Sequence, residues 1–173
     1  LLTDPGGPVY TRDTFSEKRY EDIFCNSYGH SVPVINGRLQ KEGKAHYGKL
    51  TAGQLNGRSH KKAVVDMSRA YPKGTVKKLV RSFSLDRDRN TMVLEDVFQF
   101  DRKPRSLEEA FITFEPVDIA KGARSVSIGP KTNRSRITTP EAGKFKTEKI
   151  AVVSKQGRDK KFIIRITFLP KQL

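Results

Sequence analysis

Val76 to Leu85 (VKKLVRSFSL) and Thr91 to Phe100 (TMVLEDVFQF) stand on either side of the tract Asp86-Arg87-Asp88-Arg89-Asn90. Both flanks are rich in β-branched and aromatic residues, which suit a pleated, half-buried surface. Arg81-Ser82-Phe83-Ser84-Leu85-Asp86 alternates polar with apolar side chains, so one face of the strand is turned to a core and the other to water. The intervening tract holds no apolar residue, and the two flanks are predicted to pair as an antiparallel hairpin.

The same pattern recurs on both sides of this hairpin. Lys62 to Met67 precedes it, and Ala110 to Glu115, Ser125 to Ile128, Arg134 to Thr138, Phe145 to Val153 and Phe162 to Phe168 follow. Turn residues punctuate the series, notably Gly129-Pro130, Pro140 with Gly143, and Gln156-Gly157. Only Thr14 to Ile23 and Ser106 to Glu109 suggest helical turns, and neither has a strong apolar stripe. The expected class is all-β, a two-layer antiparallel β-sandwich built as a single domain over residues 1–173. Within it residues 1–60, richer in Gly, Pro, Tyr and His, read as loops around a site, and residues 61–173 as the strand-rich scaffold.

A chain of 173 residues buries roughly 70% of the surface its unfolded form exposes, so it folds without needing a metal or disulfide. Its 34 Lys and Arg against 19 Asp and Glu leave +15, which points to a polyanionic partner without selecting one. A nucleic-acid reader is disfavoured, because no RNP-like aromatic strand or recognition helix stands out. No apolar run approaches the ~20 residues of a membrane-spanning helix. Cys25 is the lone cysteine, read as a small hydrophobe, and no intramolecular disulfide can form. The opening Leu1-Leu2-Thr3-Asp4-Pro5-Gly6-Gly7 has no signal-peptide pattern and reads as the tail of an interrupted strand.

Chemistry concentrates in the first sixty residues. His30 lies where the polar run Asn26-Ser27-Tyr28-Gly29 enters the apolar Val32-Pro33-Val34-Ile35, a position open to a metal ligand, an acid/base or a core histidine. Asp4, ahead of Pro5-Gly6-Gly7, suits a turn cap. His46 alternates with basic residues on a predicted strand and could touch an anionic ligand, while His60 sits in the solvated basic run Arg58-Ser59-His60-Lys61-Lys62. Walker, CxxC and HxxxH patterns are all missing from the sequence.

Leu2 to Gly7, Tyr10, Phe15, Arg19-Tyr20, then Asn26 to Gly37 with Gln40, and Val65-Asp66 to Ala70-Tyr71-Pro72 follow one another in a fixed order. That series resembles the β-sandwich of heparinase II/III-like polysaccharide lyases, mainly over residues 1–100. The resemblance implies a periplasmic or secreted parent enzyme in which an upstream α/α toroid packs on the sandwich. The parent would cleave a uronate-containing polysaccharide, heparan-like or alginate-like, by β-elimination. A base removes the proton α to the carboxylate, polar groups neutralise that carboxylate, and an acid protonates the departing oxygen.

By the same resemblance, residues 1–60 face the cleft. Tyr10 and Tyr20 are the candidates for catalysis, and Arg19, Tyr20 and His46 for substrate binding. Asp4 and His30 match two ligands of a structural zinc whose third ligand is expected upstream. Little or no zinc is expected on the chain alone, since structural zinc draws on four ligands. If the two share a metal, they lie within about 6 Å of each other. The chain by itself is expected to be inactive, and the alternative is a stand-alone carbohydrate- or polyanion-binding β-sandwich.

Overall fold

β-Branched and aromatic runs do form strands, and they pair with their neighbours in sequence wherever a short turn allows it. A computed structural model describes residues 4, 6–51, 53–113, 146–151 and 161–168. The strands are β1 (Val34–Ile35), β2 (Lys49–Thr51), β3 (His60–Asp66), β4 (Lys78–Asp86), β5 (Thr91–Gln99), β6 (Leu107–Thr113), β7 (Lys146–Ala151) and β8 (Lys161–Phe168). The helical elements among the described residues are short 3-10 turns at Arg12–Phe15, Glu17–Glu21, Ser27–Gly29 and Ser68–Ala70. The protein is therefore all-β, with two antiparallel sheets. The strands read at 125–128 and 134–138 lie outside the described residues.

The chain divides into two compact units, each made of two separate stretches. The first takes Leu1–Gln40 and Arg105–Lys155 and contains the sheet β1-β6-β7. The second takes Lys41–Pro104 and Gln156–Leu173 and contains the sheet β2-β3-β4-β5-β8. Residue 60, at the start of β3, is inside the second unit.

The β4–β5 hairpin organises the second unit. Asp86 pairs with Thr91, and the turn between them is closed by the Asn90 amide donating to the Arg87 carbonyl at 3.3 Å, with Asn90 at φ +48°. Leu94, Asp96 and Phe98 alternate into the interior from β5, as do Leu79 and Arg81 from β4. Arg81 is thus an interior cation. It is 4% exposed and its Nε donates to Asp96 Oδ1 at 2.8 Å, with Nη2 on Asp96 Oδ2.

Two local expectations are corrected. Ser106 to Glu109 is not a helical turn: Leu107–Thr113 is the central strand of its sheet, pairing with Val34–Ile35 on one side and with β7 on the other. Pairing on both edges overrides the helix preference of the glutamates, and Leu107 and Glu109 are buried together on one face. His46 is not on a strand either. It closes a turn at Gly43, donating its amide to the Gly43 carbonyl at 3.0 Å, and Gly43 takes φ +100°, which residues with a Cβ rarely adopt. The helical turns expected at Thr14 to Ile23 fall on the two consecutive 3-10 turns Arg12–Phe15 and Glu17–Glu21.

Removing one partner of the Arg81–Asp96 pair strands a buried charge. Asp96→Ala is expected to cost about 3–5 kcal/mol in urea unfolding, whereas the double variant Arg81→Met/Asp96→Leu loses much less. A double variant as damaged as the single one would contradict the pair's assigned role.

Candidate functional site

Asp4 begins a turn of its own making. Its Oδ1 accepts the Gly6 amide at 2.9 Å, and Gly6 adopts φ +85°. The cap reading of Asp4 therefore describes one carboxylate oxygen, and the other, Oδ2, faces His30. Further along, Asp22 Oδ1 accepts the Phe24 amide at 2.8 Å and Asn26 Oδ1 accepts the Tyr28 amide at 2.9 Å. These two side chains curl residues 22–30 back on themselves, an arrangement that needs glycine at 29 because a Cβ there would collide with the Ile23 carbonyl oxygen.

His30 sits at the end of this curl. Its Nε2 lies 3.3 Å from the Phe24 carbonyl oxygen and its Nδ1 lies 3.0 Å from Asp4 Oδ2. A carbonyl and a carboxylate can each only accept, so a neutral imidazole donates to one of them, from Nε2 to Phe24 or from Nδ1 to Asp4. With Nε2–H on the Phe24 carbonyl, Nδ1 presents a lone pair beside Asp4 Oδ2, two donors that one metal ion could take. Anchoring the far ring nitrogen on a backbone carbonyl is how metal-bound histidines are commonly held. The donor set therefore fits a borderline metal such as zinc, with Asp4 and His30 as two of its ligands. The side chains are 69% and 31% exposed, so further ligands have access.

The remaining predicted residues fall in two places. Tyr10 stacks on Phe15 with ring centroids 5.8 Å apart, and both are largely exposed. Arg19 and Tyr20 are exposed on the Glu17–Glu21 turn, where the Tyr20 carbonyl accepts from Asn26 Nδ2 at 3.1 Å. All four belong to the first unit and His46 to the second. Cys25 is half-buried with a free thiol.

His46 leads to residues that sequence reading passed over. Its Nδ1 lies 3.2 Å from the Arg69 carbonyl oxygen, and the Arg69 side chain returns to Tyr47, donating from Nη1 to Tyr47 Oη at 2.7 Å. Around them, Lys49 at the start of β2, Asp66 at the end of β3, Lys78 at the start of β4 and Gln99 at the end of β5 meet at one end of the sheet. Antiparallel pairing brings them together: Lys49 is opposite Asp66 and Lys78 opposite Gln99. Together with Ser68 and Lys77 they line a cleft of about 490 Å³. A clue existed in the alternate strand ends, but it becomes visible only once the register is known.

Asp66 is the titratable group most clearly shifted by this setting. Burial pushes its carboxyl up, but hydrogen bonds from the Ser68 side chain and backbone, with the charges of Lys78 and Arg69, outweigh burial and hold it below its ordinary value. At the opposite end of the sheet His60, Asp86 and Asp88 cluster within 4.8 Å, all solvent-accessible, with the Arg89 guanidinium 3.9 Å from Asp86. That guanidinium already supplies counter-charge. Among known proteins, no family model matches the chain and no curated protein matches it.

Two outcomes follow from these geometries. Gly29→Ala is expected to lose about 1–3 kcal/mol and to perturb the imidazole resonances of His30, measured by thermal melting and NMR. Because the folded carboxyl of Asp66 titrates below its ordinary value, its stabilisation is full above the ordinary carboxylate range and disappears as pH falls through the folded value. The difference in urea midpoint between the protein and Asp66→Asn is therefore expected to shrink on acidification, and a gap that widens would contradict it.

Proposed function

We propose that the chain is the β-sandwich portion of a polysaccharide lyase acting on a uronate-containing acidic glycan, with an upstream helical toroid as its partner. The observation that carries this reading is the approach of Asp4 Oδ2 to His30 Nδ1 at 3.0 Å across 26 residues of sequence, with Nε2 held by the Phe24 carbonyl. It supports the resemblance at the two positions where that resemblance implies metal ligands. Bound there, a zinc ion would act as a structural cross-link between the Asp4 turn and the entrance to β1.

Elimination demands a base for the α-proton, neutralisation of the carboxylate and an acid for the leaving oxygen. This chain offers Arg19 as a carboxylate partner and exposed phenols at Tyr10 and Tyr20, all in the first unit. The principal acid and base are assigned to the toroid, so the isolated chain binds but does not cleave. Secretion or a periplasmic location accompanies this reading. Among the described residues no helix is long and apolar enough to cross a membrane.

Zinc titration followed by calorimetry tests the site. The chain is expected to bind zinc weakly, through an incomplete ligand set, and the double variant Asp4→Asn/His30→Ala is expected to lose that binding. On a panel of uronate glycans, the chain is expected to yield no unsaturated uronate product. Zinc binding unchanged by the double variant, or selective binding of nucleic acid over glycan, would overturn the proposal.

A further inference from the structure

We infer that the cleft between Tyr47, Lys49, Arg69, Lys77 and Lys78 in the second unit binds a sulfated or carboxylated sugar of an acidic polysaccharide. The choice of glycan rests on the reading above, but the site is separate from Asp4 and His30, which belong to the first unit.

Four cations and one carboxylate line the cleft, and the carboxylate is already occupied. Asp66 Oδ1 accepts the Ser68 amide at 2.9 Å, and the four cations outnumber its single charge. Among the described residues the Lys77 ammonium meets Asp101 in an exposed pair at 3.6 Å, a contact worth little in water and readily exchanged for a ligand anion. Lys49 and Lys78 are exposed. Arg69 spends one donor on Tyr47 Oη and lies 5.7 Å from the ring centroid, so the rest of its planar fork can meet a sulfate or carboxylate.

The backbone positions that carry these cations are set before any ligand arrives. Lys49, Lys78 and Gln99 are held by strand pairing, and the Lys77 amide extends the ladder by donating to the Gln99 carbonyl at 2.9 Å. Arg69 and Tyr47 brace each other, and His46 pins the same segment through the Arg69 carbonyl. Groups ordered in advance lose less entropy on binding. The volume, about 490 Å³, falls in the usual range for small-ligand sites.

Sugar is favoured over nucleic acid by the aromatic content. Single strands are gripped by stacking successive bases on several exposed rings. Here one ring lines the cleft, and Arg69 covers one of its faces. A Tyr that is 45% exposed, set among cations, an amide and a hydroxyl, matches a single charged pyranose better than a run of bases.

The test titrates the full chain, at one fixed salt concentration, with a heparin-derived tetrasaccharide, a neutral tetrasaccharide and a single-stranded oligonucleotide. Lys77→Gln/Lys78→Gln and, separately, Arg69→Gln are expected to weaken binding of the heparin fragment about tenfold each. Arg58→Gln/Lys62→Gln removes the same charge as the lysine pair from exposed positions outside the cleft and is expected to weaken it less than about twofold. The neutral sugar is expected not to bind. Equal losses in the two double variants would assign affinity to overall charge and sink the cleft, as would tighter binding of the oligonucleotide. Cleft-dependent glycan binding in a chain whose zinc binding ignores Asp4 and His30 would retain the cleft and remove the lyase reading. Zinc binding that requires both residues, with cleft variants unaffected, would do the reverse.

Discussion

A guanidinium and a carboxylate removed from water cannot be left apart, and in the second unit Arg81 and Asp96 are both buried in the middle of adjacent strands. Their two-pronged contact exists in one register of β4 against β5 only. Sliding either strand by one residue would turn one charge to the opposite face and leave the other alone in a low dielectric. The same register puts Asp86 opposite Thr91 and so defines the hairpin turn, and it puts Lys78 opposite Gln99 at the other end. Val65 on β3 and Ile164 on β8 continue the row on either side. An interaction with modest net stabilising value thus acts mainly as a selector of alignment, and the cleft at the sheet end inherits its geometry from that alignment.

The first unit solves a different problem, because its residues 22–40 contain little regular structure. Side chains supply the partners that a sheet would otherwise give. Asn36 Oδ1 accepts the amides of Arg105 and Ser106 at 2.6 and 3.1 Å, Ser31 Oγ accepts the Ile112 amide at 3.0 Å, and Ser27 Oγ accepts the Gln40 amide at 2.9 Å. Asn36 does so from φ +52°, a conformation that asparagine tolerates better than most residues. These bonds tie the loop to β6 and hold the entrance to β1, where His30 sits. A short polar side chain at each of these positions keeps buried backbone groups satisfied without a long ladder.

The strong positive charge acquires a different meaning in this setting. One of the cations behind that charge, Arg81, is internal and paired with Asp96. Others concentrate where four strand ends meet, so the field has a focus on the second unit. The metal-like pair of Asp4 and His30 and the cationic cleft are two separate constellations on two units of one chain.

Much of the strand content was legible because alternation and turn chemistry are local properties. The β4–β5 hairpin, β3 and β8 lie within a few residues of the runs that β-branched and aromatic residues marked. Local reading failed at Ser106 to Glu109, where the glutamates' preference was overruled by pairing on two edges, and at His46, where Gly43 turned the chain. The sequence by itself determined the residue types that could carry chemistry, Asp4 and His30 among them, and the apolar rhythm of the sheets. Tertiary structure alone decided that His30 Nδ1 meets Asp4 while Nε2 meets a backbone carbonyl, and that Tyr47, Arg69 and Lys78 share a cleft. The physical reason is distance along the chain: periodicity reports which face a side chain takes, whereas register and loop closure, set by buried charge and backbone satisfaction, choose which distant side chains become neighbours.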